Sequence, residues 1–190
     1  MREKFITSIE VNSHVIAKRW AKLVKSSQFT KSYHKVNEEE LTKIAKKSYI
    51  NLGRYLEPQT SKTEIGKYYA DLGGQRYTDG YPLCEILYSL HFTKRILFDY
   101  ISSEALLPNT LTLYQANEFM LEITDFFDLV IFYISRGYQE AVYKKMLAQK
   151  DVDKNTIRDV FPPGSFYYEH DPDFKSFAKA MEAFNLFKVK

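Results

Sequence analysis

The sequence is poor in cysteine, glycine and proline. Its one cysteine, Cys84, allows no disulfide bond within the chain, which fits a reducing cytosol. The 7 glycines and 6 prolines among 190 residues stand at isolated breaks, which favours long helices. Turn-rich all-β architectures are therefore not expected.

Long apolar runs and a strong net charge are missing as well. The most apolar segment, residues 126–134, is interrupted by Asp128 and is far shorter than the about 20 residues that span a bilayer. No long apolar run follows the first residues, so we expect no signal peptide and a cytoplasmic location. A net charge of +3 without a recognisable binding motif gives no indication of nucleic-acid binding.

The charge that is present is unevenly distributed. Residues 1–36 contain eight Lys and Arg against two Glu, a net +6, so residues 37–190 carry −3. Such a basic segment is most often a solvated helix face, and contact with an acidic partner or a membrane surface is the alternative.

Apolar residues recur at helical spacing along most of the chain. They predict an all-α protein, a single helical bundle or globin-like domain of five main helices plus a docked C-terminal helix. The five helices are expected at about 3–26, 37–57, 61–77, 82–104 and 111–149. Residues 1–150 would form the helical domain, and residues 151–190 an aromatic extension with a short helix that begins near Asp171.

Residues 66–101 organise the predicted bundle. Gly80 can adopt the positive φ that ends a helix, and Pro82 suits the first turn of the next one. The pair Gly73-Gly74 would weaken a helix, unless it allows a second helix to approach closely. Asn37 and Ser61, each followed three residues later by Glu, have the form of capping boxes.

The fifth predicted helix is the longest. A dimeric coiled coil needs charged positions beside its apolar seam, but here these positions are apolar or aromatic. The helix is therefore either the core of a bundle or shared between two subunits, and we predict a homodimer. Its length, about 55 Å, predicts a bend near Gly137 or a projecting end.

Catalytic and metal-binding patterns are missing from the sequence. The four histidines form neither H-x-x-x-H nor E-x-x-H, and no nucleophile or phosphate-loop motif is present. Glu118, Glu122 and Asp125 share one helix face, either as a solvated ridge or as a carboxylate metal site. We expect a non-enzyme without cofactor.

Four residues of the fourth predicted helix form a stripe beside its apolar face: Cys84, Tyr88, His91 and Arg95. The stripe could serve simple packing, subunit contact, or contact with a ligand or haem through His91. No clear second axial or distal partner for haem is present, so we expect none.

The turn and the helix after it carry a motif: Arg76, then Gly80-Tyr81-Pro82-Leu83-x-Glu85, then spaced Leu and basic residues up to Leu97. This stretch resembles the N-terminal regulatory domain of stressosome co-antagonists, the RsbRD N-terminal domain family, which also precedes histidine kinases. Trp20 and the late Arg136-Gly137-Tyr138 fit the same pattern. The resemblance implies a haem-free, dimeric, sensory or regulatory helical domain.

Three classes of function therefore remain at this stage. The first is a regulatory module that binds a protein partner or a small signal molecule. The second is a ligand carrier or minor enzyme with an aromatic-lined pocket, and the third is a structural adaptor. An enclosed cavity with convergent polar groups would favour the second class, and an exposed apolar patch the first or third.

The C-terminal stripe generates a prediction. Phe174, Phe177, Met181 and Phe184 share one helix face, and burying each would contribute about 1.5–3 kcal/mol. We expect this segment to dock on its own chain. Deleting residues 162–190 should then lower the melting temperature and raise dye binding or self-association. An unchanged melting curve with unchanged solubility would instead indicate a free recognition peptide.

Overall fold

The computed structural model describes residues 2–57, 60, 62–104, 110–149 and 152–161. Within these ranges the chain forms helices and no strand, which confirms the predicted all-α class. The α-helices are α1 (Arg2–Val11), α2 (Ser13–Ser26), α3 (Glu38–Ile50), α4 (Leu52–Leu56), α5 (Lys62–Thr78), α6 (Leu83–Glu104), α7 (Thr110–Leu147) and α8 (Lys154–Val160), and a 3-10 turn covers Lys31–Lys35. No helix in the described part is both long and apolar enough to cross a membrane.

Two helix pairs carry most of the packing. The pair α5–α7 makes the most extensive contact and α2–α3 the next, while α6 packs on both α7 and α2. Helix α1 bridges the two pairs through contacts with α3, α4 and α7. Aromatic rings fill the junctions: Phe5 stacks on Phe119 at 5.5 Å, and Tyr55 stacks on Phe126 at 5.6 Å between ring centroids. The core is therefore one continuous cluster shared by all the long helices.

The first two predicted helices are each divided in the structure. The breaks fall at Asn12 and Asn51, which have φ/ψ of −93°/11° and −99°/6°. Each side-chain amide donates to the carbonyl four residues earlier, Asn12 to Ser8 at 2.9 Å and Asn51 to Lys47 at 2.7 Å. Asparagine side chains bond to nearby backbone groups in this way and are unfavourable within a helix, and in both places one helix ends and the next begins.

The predicted helix ends agree with the structure where it describes them. The Asn37 side chain accepts the Glu39 N–H at 2.9 Å and caps α3. Gly80 has a φ of 81°, and the amides of Gly80 and Tyr81 donate to carbonyls in the last turn of α5. These bonds satisfy carbonyls that the helix end leaves free, which explains the glycine at this position.

Helix α7 is continuous through Gly137, and α5 lies against it. A Cβ atom on Gly73 would meet the Ile134 carbonyl oxygen, and one on Gly137 would meet that of Ala70. Because glycine has no side chain, the two backbones can touch at these positions. A close approach was one interpretation of the Gly73-Gly74 pair, and Gly73 makes it. The apolar flanks of α7 were taken above as indicating either a bundle core or a helix shared between subunits. Three of them, Phe119, Phe126 and Tyr133, are buried within this single chain.

The C-terminal extension begins by folding back on the bundle. The predicted helix list omitted α8, which packs on the end of α7. Asp153 caps it by accepting the Asn155 N–H at 3.2 Å. Ile157 and Phe161 are buried, and the Phe161 ring meets the Tyr143 ring edge-on at 5.3 Å. The helix predicted near Asp171 lies outside the described residues, as does the Ser61 cap.

A prediction follows from the α5–α7 crossing. The variant Gly137→Ala forces a methyl group against a backbone carbonyl that cannot rotate away, so we expect a loss of about 2 kcal/mol or more in the free energy of unfolding. Gly74→Ala is the matched control, because its Cβ would lie 3.5 Å from the nearest atom, in ordinary contact. That variant should gain up to about 1 kcal/mol from helix propensity. Urea denaturation measures both, and equal stability of the two variants would contradict the close crossing.

Candidate functional site

The four-residue stripe of α6 lies on the solvent face of that helix. Cys84, Tyr88, His91 and Arg95 are all exposed, and they stand opposite the buried positions rather than beside them. The expected placement beside the apolar face was therefore wrong. The buried face contains the polar residues Ser89 and Thr93. An assignment of faces from apolar residues alone leaves them out, and it therefore places the buried face too close to the stripe.

One member of the stripe belongs to an aromatic cluster at the surface. The Tyr88 ring lies 5.0 Å from Phe29, 4.9 Å from Phe92 and 5.9 Å from His91. Phe29 is more than half exposed although it is a large apolar side chain. Arg95 pairs with Asp99 on the same helix at 3.9 Å. The cluster is a surface to which another molecule could bind. Whether that molecule is a second subunit or a ligand stays a prediction.

A cavity of about 80 Å³ lies where five helices meet. Its lining comes from α2, α3, α5, α6 and α7 together with the 3-10 turn, and no residue of the α6 stripe belongs to it. Aromatic and aliphatic side chains form most of the wall, with five hydroxyl groups, two of them from tyrosines, and one guanidinium. The lining residues are Trp20, Tyr33, Ile44, Ala45, Ser48, Tyr69, Leu72, Arg76, Ile86, Ser89, Leu90, Thr93 and Ile134.

Ser89 organises the polar side of the cavity. Its hydroxyl donates to the Ile86 carbonyl at 2.7 Å, so the Tyr33 hydroxyl at 3.0 Å must be the donor to Ser89 Oγ. The Ser89 carbonyl oxygen accepts from Trp20 Nε1 at 2.9 Å and from Thr93 Oγ1 at 3.1 Å. This network ties α2 and the 3-10 turn to α6, and it satisfies the buried polar groups there.

Arg76, a residue of the family-like motif, is the one charged residue among those that line the cavity. Its side chain is 17% exposed, and its guanidinium lies 3.7 Å from Asp79 and 5.1 Å from the centre of the Tyr81 ring. Tyr81 in turn packs 5.0 Å from Tyr33. The motif therefore brings an arginine, two tyrosines and the turn to one edge of the cavity.

The remaining motif positions support the turn itself. Gly80 supplies the positive φ, and the Pro82 carbonyl accepts the amides of Glu85 and Ile86. The Glu85 carboxylate accepts the Ser32 N–H at 2.7 Å and holds the 3-10 turn against α6. Leu83 is half-buried. These residues position the cavity wall. Of the motif positions from Arg76 to Glu85 only Arg76 lines the cavity, and Leu90 lines it from the later part of the motif.

The largest pKa shifts in the described part of the chain belong to buried tyrosines. Burial raises the pKa of Tyr49 and of Tyr69 far above the ordinary value of about 10, and it also raises the pKa of Tyr33. Such phenols stay protonated at neutral pH and do not act as bases. No group of side chains in the described ranges could hold a metal ion, and Glu122 of the proposed carboxylate ridge pairs with Arg2 at 2.7 Å.

Sequence reasoning missed the hydroxyl residues of the cavity. Ser48, Ser89 and Thr93 lie within otherwise apolar helix faces. A signal was available for two of them, because Ser89 and Thr93 interrupt the apolar stripe of α6 at a spacing of four residues. A polar pair inside a buried stripe indicates a local polar network.

No family model, curated protein or solved structure matches this chain. The resemblance of residues 72–101 to the stressosome family therefore stays a prediction carried by the motif alone.

The buried tyrosines predict a loss of stability in alkali. Because the pKa is raised in the folded state, the unfolded chain loses its phenol protons first, near pH 10. The stabilisation is complete below that pH and falls by about 1.4 kcal/mol per pH unit for each such tyrosine above it. Urea denaturation from about pH 8 to 11 should show a shallower decline for Tyr69→Phe than for the wild type. Tyr114→Phe, at an exposed position, should decline as the wild type does, and equal slopes for all three proteins would contradict the assignment.

Proposed function

We propose that the chain is a non-catalytic regulatory module of the cytoplasm that acts in signal transduction through protein–protein contacts and forms a homodimer. The observation that carries this proposal is a pair of exposed helix faces with opposite charge, one on α2 and one on α7. Each combines unpaired charges with apolar side chains in solvent.

The basic face belongs to α2 and includes the last residue of α1, Val11. Helix α2 contains four Lys and Arg and no acidic residue. Its buried side carries Ile16, Trp20 and Val24, so the basic side chains point outward. Lys18 and Lys22 pair with no carboxylate in the described ranges. Val11, 77% exposed, and Val15, 48% exposed, add apolar area beside them.

The acidic face belongs to the first two thirds of α7. Residues 110–135 contain four Asp and Glu and no Lys or Arg. Tyr114, Leu121 and Phe132 stand on the outer side of the helix, 67%, 66% and 41% exposed. Glu118 and Asp125 lie between them, and neither has an ion-pair partner within the described part of the chain. Exposed apolar side chains among like charges are typical of a protein-binding surface.

The two faces are complementary in charge, and contact between them would bury the apolar side chains that each exposes to solvent. Residues 114–132 of α7 extend about 27 Å and α2 about 21 Å, so the faces match in length as well as in charge. A second copy of this chain is therefore the partner that we propose. In a two-fold dimer the contact of α2 with α7 occurs twice, which doubles the area that one face provides.

The chemistry of the described residues supports a regulatory role over an enzymatic one. Cys84, His14, His34 and His91 are exposed and do not line the cavity. An exposed free thiol suits a reducing compartment. The motif around Arg76 adds support, since the family that it resembles consists of regulatory domains.

The alternative is a small-ligand carrier or minor enzyme with an aromatic-lined pocket between helices. The mixed aromatic and polar lining of the cavity favours this alternative, but the volume of the cavity does not. At about 80 Å³ it is well below the 300–1,000 Å³ of pockets that enclose drug-sized ligands. We therefore rank the interaction module first.

Reversing the charges tests the proposal. The double variants Lys18→Glu/Lys22→Glu and Glu118→Lys/Asp125→Lys should each weaken the dimer at least about 10-fold, because like charges then face one another. Combining all four substitutions should restore dimerisation. Sedimentation equilibrium at about 50 mM and about 500 mM salt measures the dimer constant, and higher salt should weaken the wild-type dimer.

Lys47→Glu is the matched control, because this exposed lysine lies on α3, away from both faces. It should leave the dimer constant unchanged. A monomer mass for the wild type at every concentration would refute the homodimer. A dimer that is indifferent to all the reversals would place the interface elsewhere.

A further inference from the structure

We propose that the cavity between α2, α3, α5, α6 and α7 binds a short-chain aliphatic carboxylate, with its carboxylate on Arg76 and its alkyl chain among the aliphatic lining residues. No lining residue belongs to the α2 and α7 outer faces, so this inference stands independently of the proposed dimer.

The volume of the cavity limits the size of the ligand. A cavity of about 150 Å³ lined by apolar side chains admits benzene, and this cavity has about half that volume. An alkyl chain of about three carbon atoms, half the number in benzene, fits when the carboxylate lies on Arg76, while a nucleotide, a flavin or a haem does not fit. The aliphatic wall, formed by Ile44, Leu72, Ile86, Leu90 and Ile134, suits an alkyl chain.

The guanidinium of Arg76 is the group of the cavity that can bind an anion. It carries five N–H donors, and its side chain is 17% exposed. The Asp79 carboxylate at 3.7 Å is beyond hydrogen-bond distance, and Arg76 donates no hydrogen bond to any residue that the structure describes. The Tyr81 ring covers one side of the guanidinium without supplying an acceptor in its plane.

Arg76 is the only charged group among the lining residues, and most of the hydroxyl groups there are engaged. Tyr33, Ser89 and Thr93 already donate their protons to protein oxygens, which leaves the hydroxyls of Ser48 and Tyr69 as further polar groups of the wall. The nearby carboxylates do not line the cavity, and Glu85 is held by the Ser32 amide at 2.7 Å. A ligand inside therefore meets one positive charge, with planar donors that match a carboxylate in bidentate fashion.

The geometry also separates a carboxylate from inorganic phosphate. Both anions suit a guanidinium, but phosphate has no apolar part and would place a strongly hydrated dianion against an aliphatic wall. A short carboxylate buries its alkyl chain there and presents a single charge. Because either anion could bind the guanidinium of Arg76, the test includes inorganic phosphate to distinguish the two.

The experiment is calorimetric titration of the full chain with acetate, propionate, butyrate and hexanoate, together with butyramide and inorganic phosphate. We expect affinity to rise from acetate to propionate or butyrate and to fall at hexanoate, which exceeds the cavity. Butyramide should bind at least about 10-fold more weakly than butyrate, because it lacks the charge. Equal binding of butyramide, binding of phosphate alone, or binding of no compound would overturn the proposal.

Two variants locate the site. Arg76→Gln should weaken butyrate binding at least about 10-fold, and an unchanged affinity would refute the role of the guanidinium. Ser48→Leu fills the cavity from α3 and leaves Arg76 in place, so it should abolish binding of butyrate. Circular dichroism verifies that both variants remain folded. Retained binding in Ser48→Leu would place the ligand outside this cavity.

Discussion

The structure depends on the contact between the backbones of α5 and α7. Gly73 and Gly137 remove the side chains that would separate the two helices, so Ile134 and Ala70 carbonyl groups lie directly against the opposite helix. Where two helices cross this closely, side chains of both helices that flank the crossing point come close together. Ile134 of α7 and Leu72 of α5 line the cavity beside the crossing. The cavity is therefore a consequence of how these two helices meet.

Much of this arrangement could be predicted from the sequence. The helical class, the turn at Gly80 and the cap at Asn37 follow from local preferences that act over a few residues. The division of the first two helices could not be read from periodicity. Apolar spacing continues across Asn12 and Asn51, and the breaks fall at asparagines whose side-chain amides donate to a carbonyl of the preceding turn.

The site was harder to predict, because it depends on which side of each helix is buried. On α6, counting only apolar residues brought Cys84 and His91 too close to the core. In the fold, Ser89 and Thr93 occupy the buried side, where Tyr33 and Trp20 bond to Ser89 and Thr93 donates to the Ser89 carbonyl. Tyr33 and Trp20 lie more than 50 residues away from Ser89 in sequence. Arg76 was found through the motif, but its place in a cavity depends on helices that the motif does not contain.

The cavity and the outer faces are connected through shared helices. Trp20 contributes to the Ser89 network from the inner side of α2, while Lys18 and Lys22 stand on the outer side of the same two turns. Ile134 lines the cavity from α7, two residues after the exposed Phe132. A ligand that displaced α2 or α7 by a fraction of an ångström would move both outer faces together, since close-packed helices shift as rigid units. Binding inside and association outside would then be linked reciprocally, and each would change the affinity of the other by the same factor.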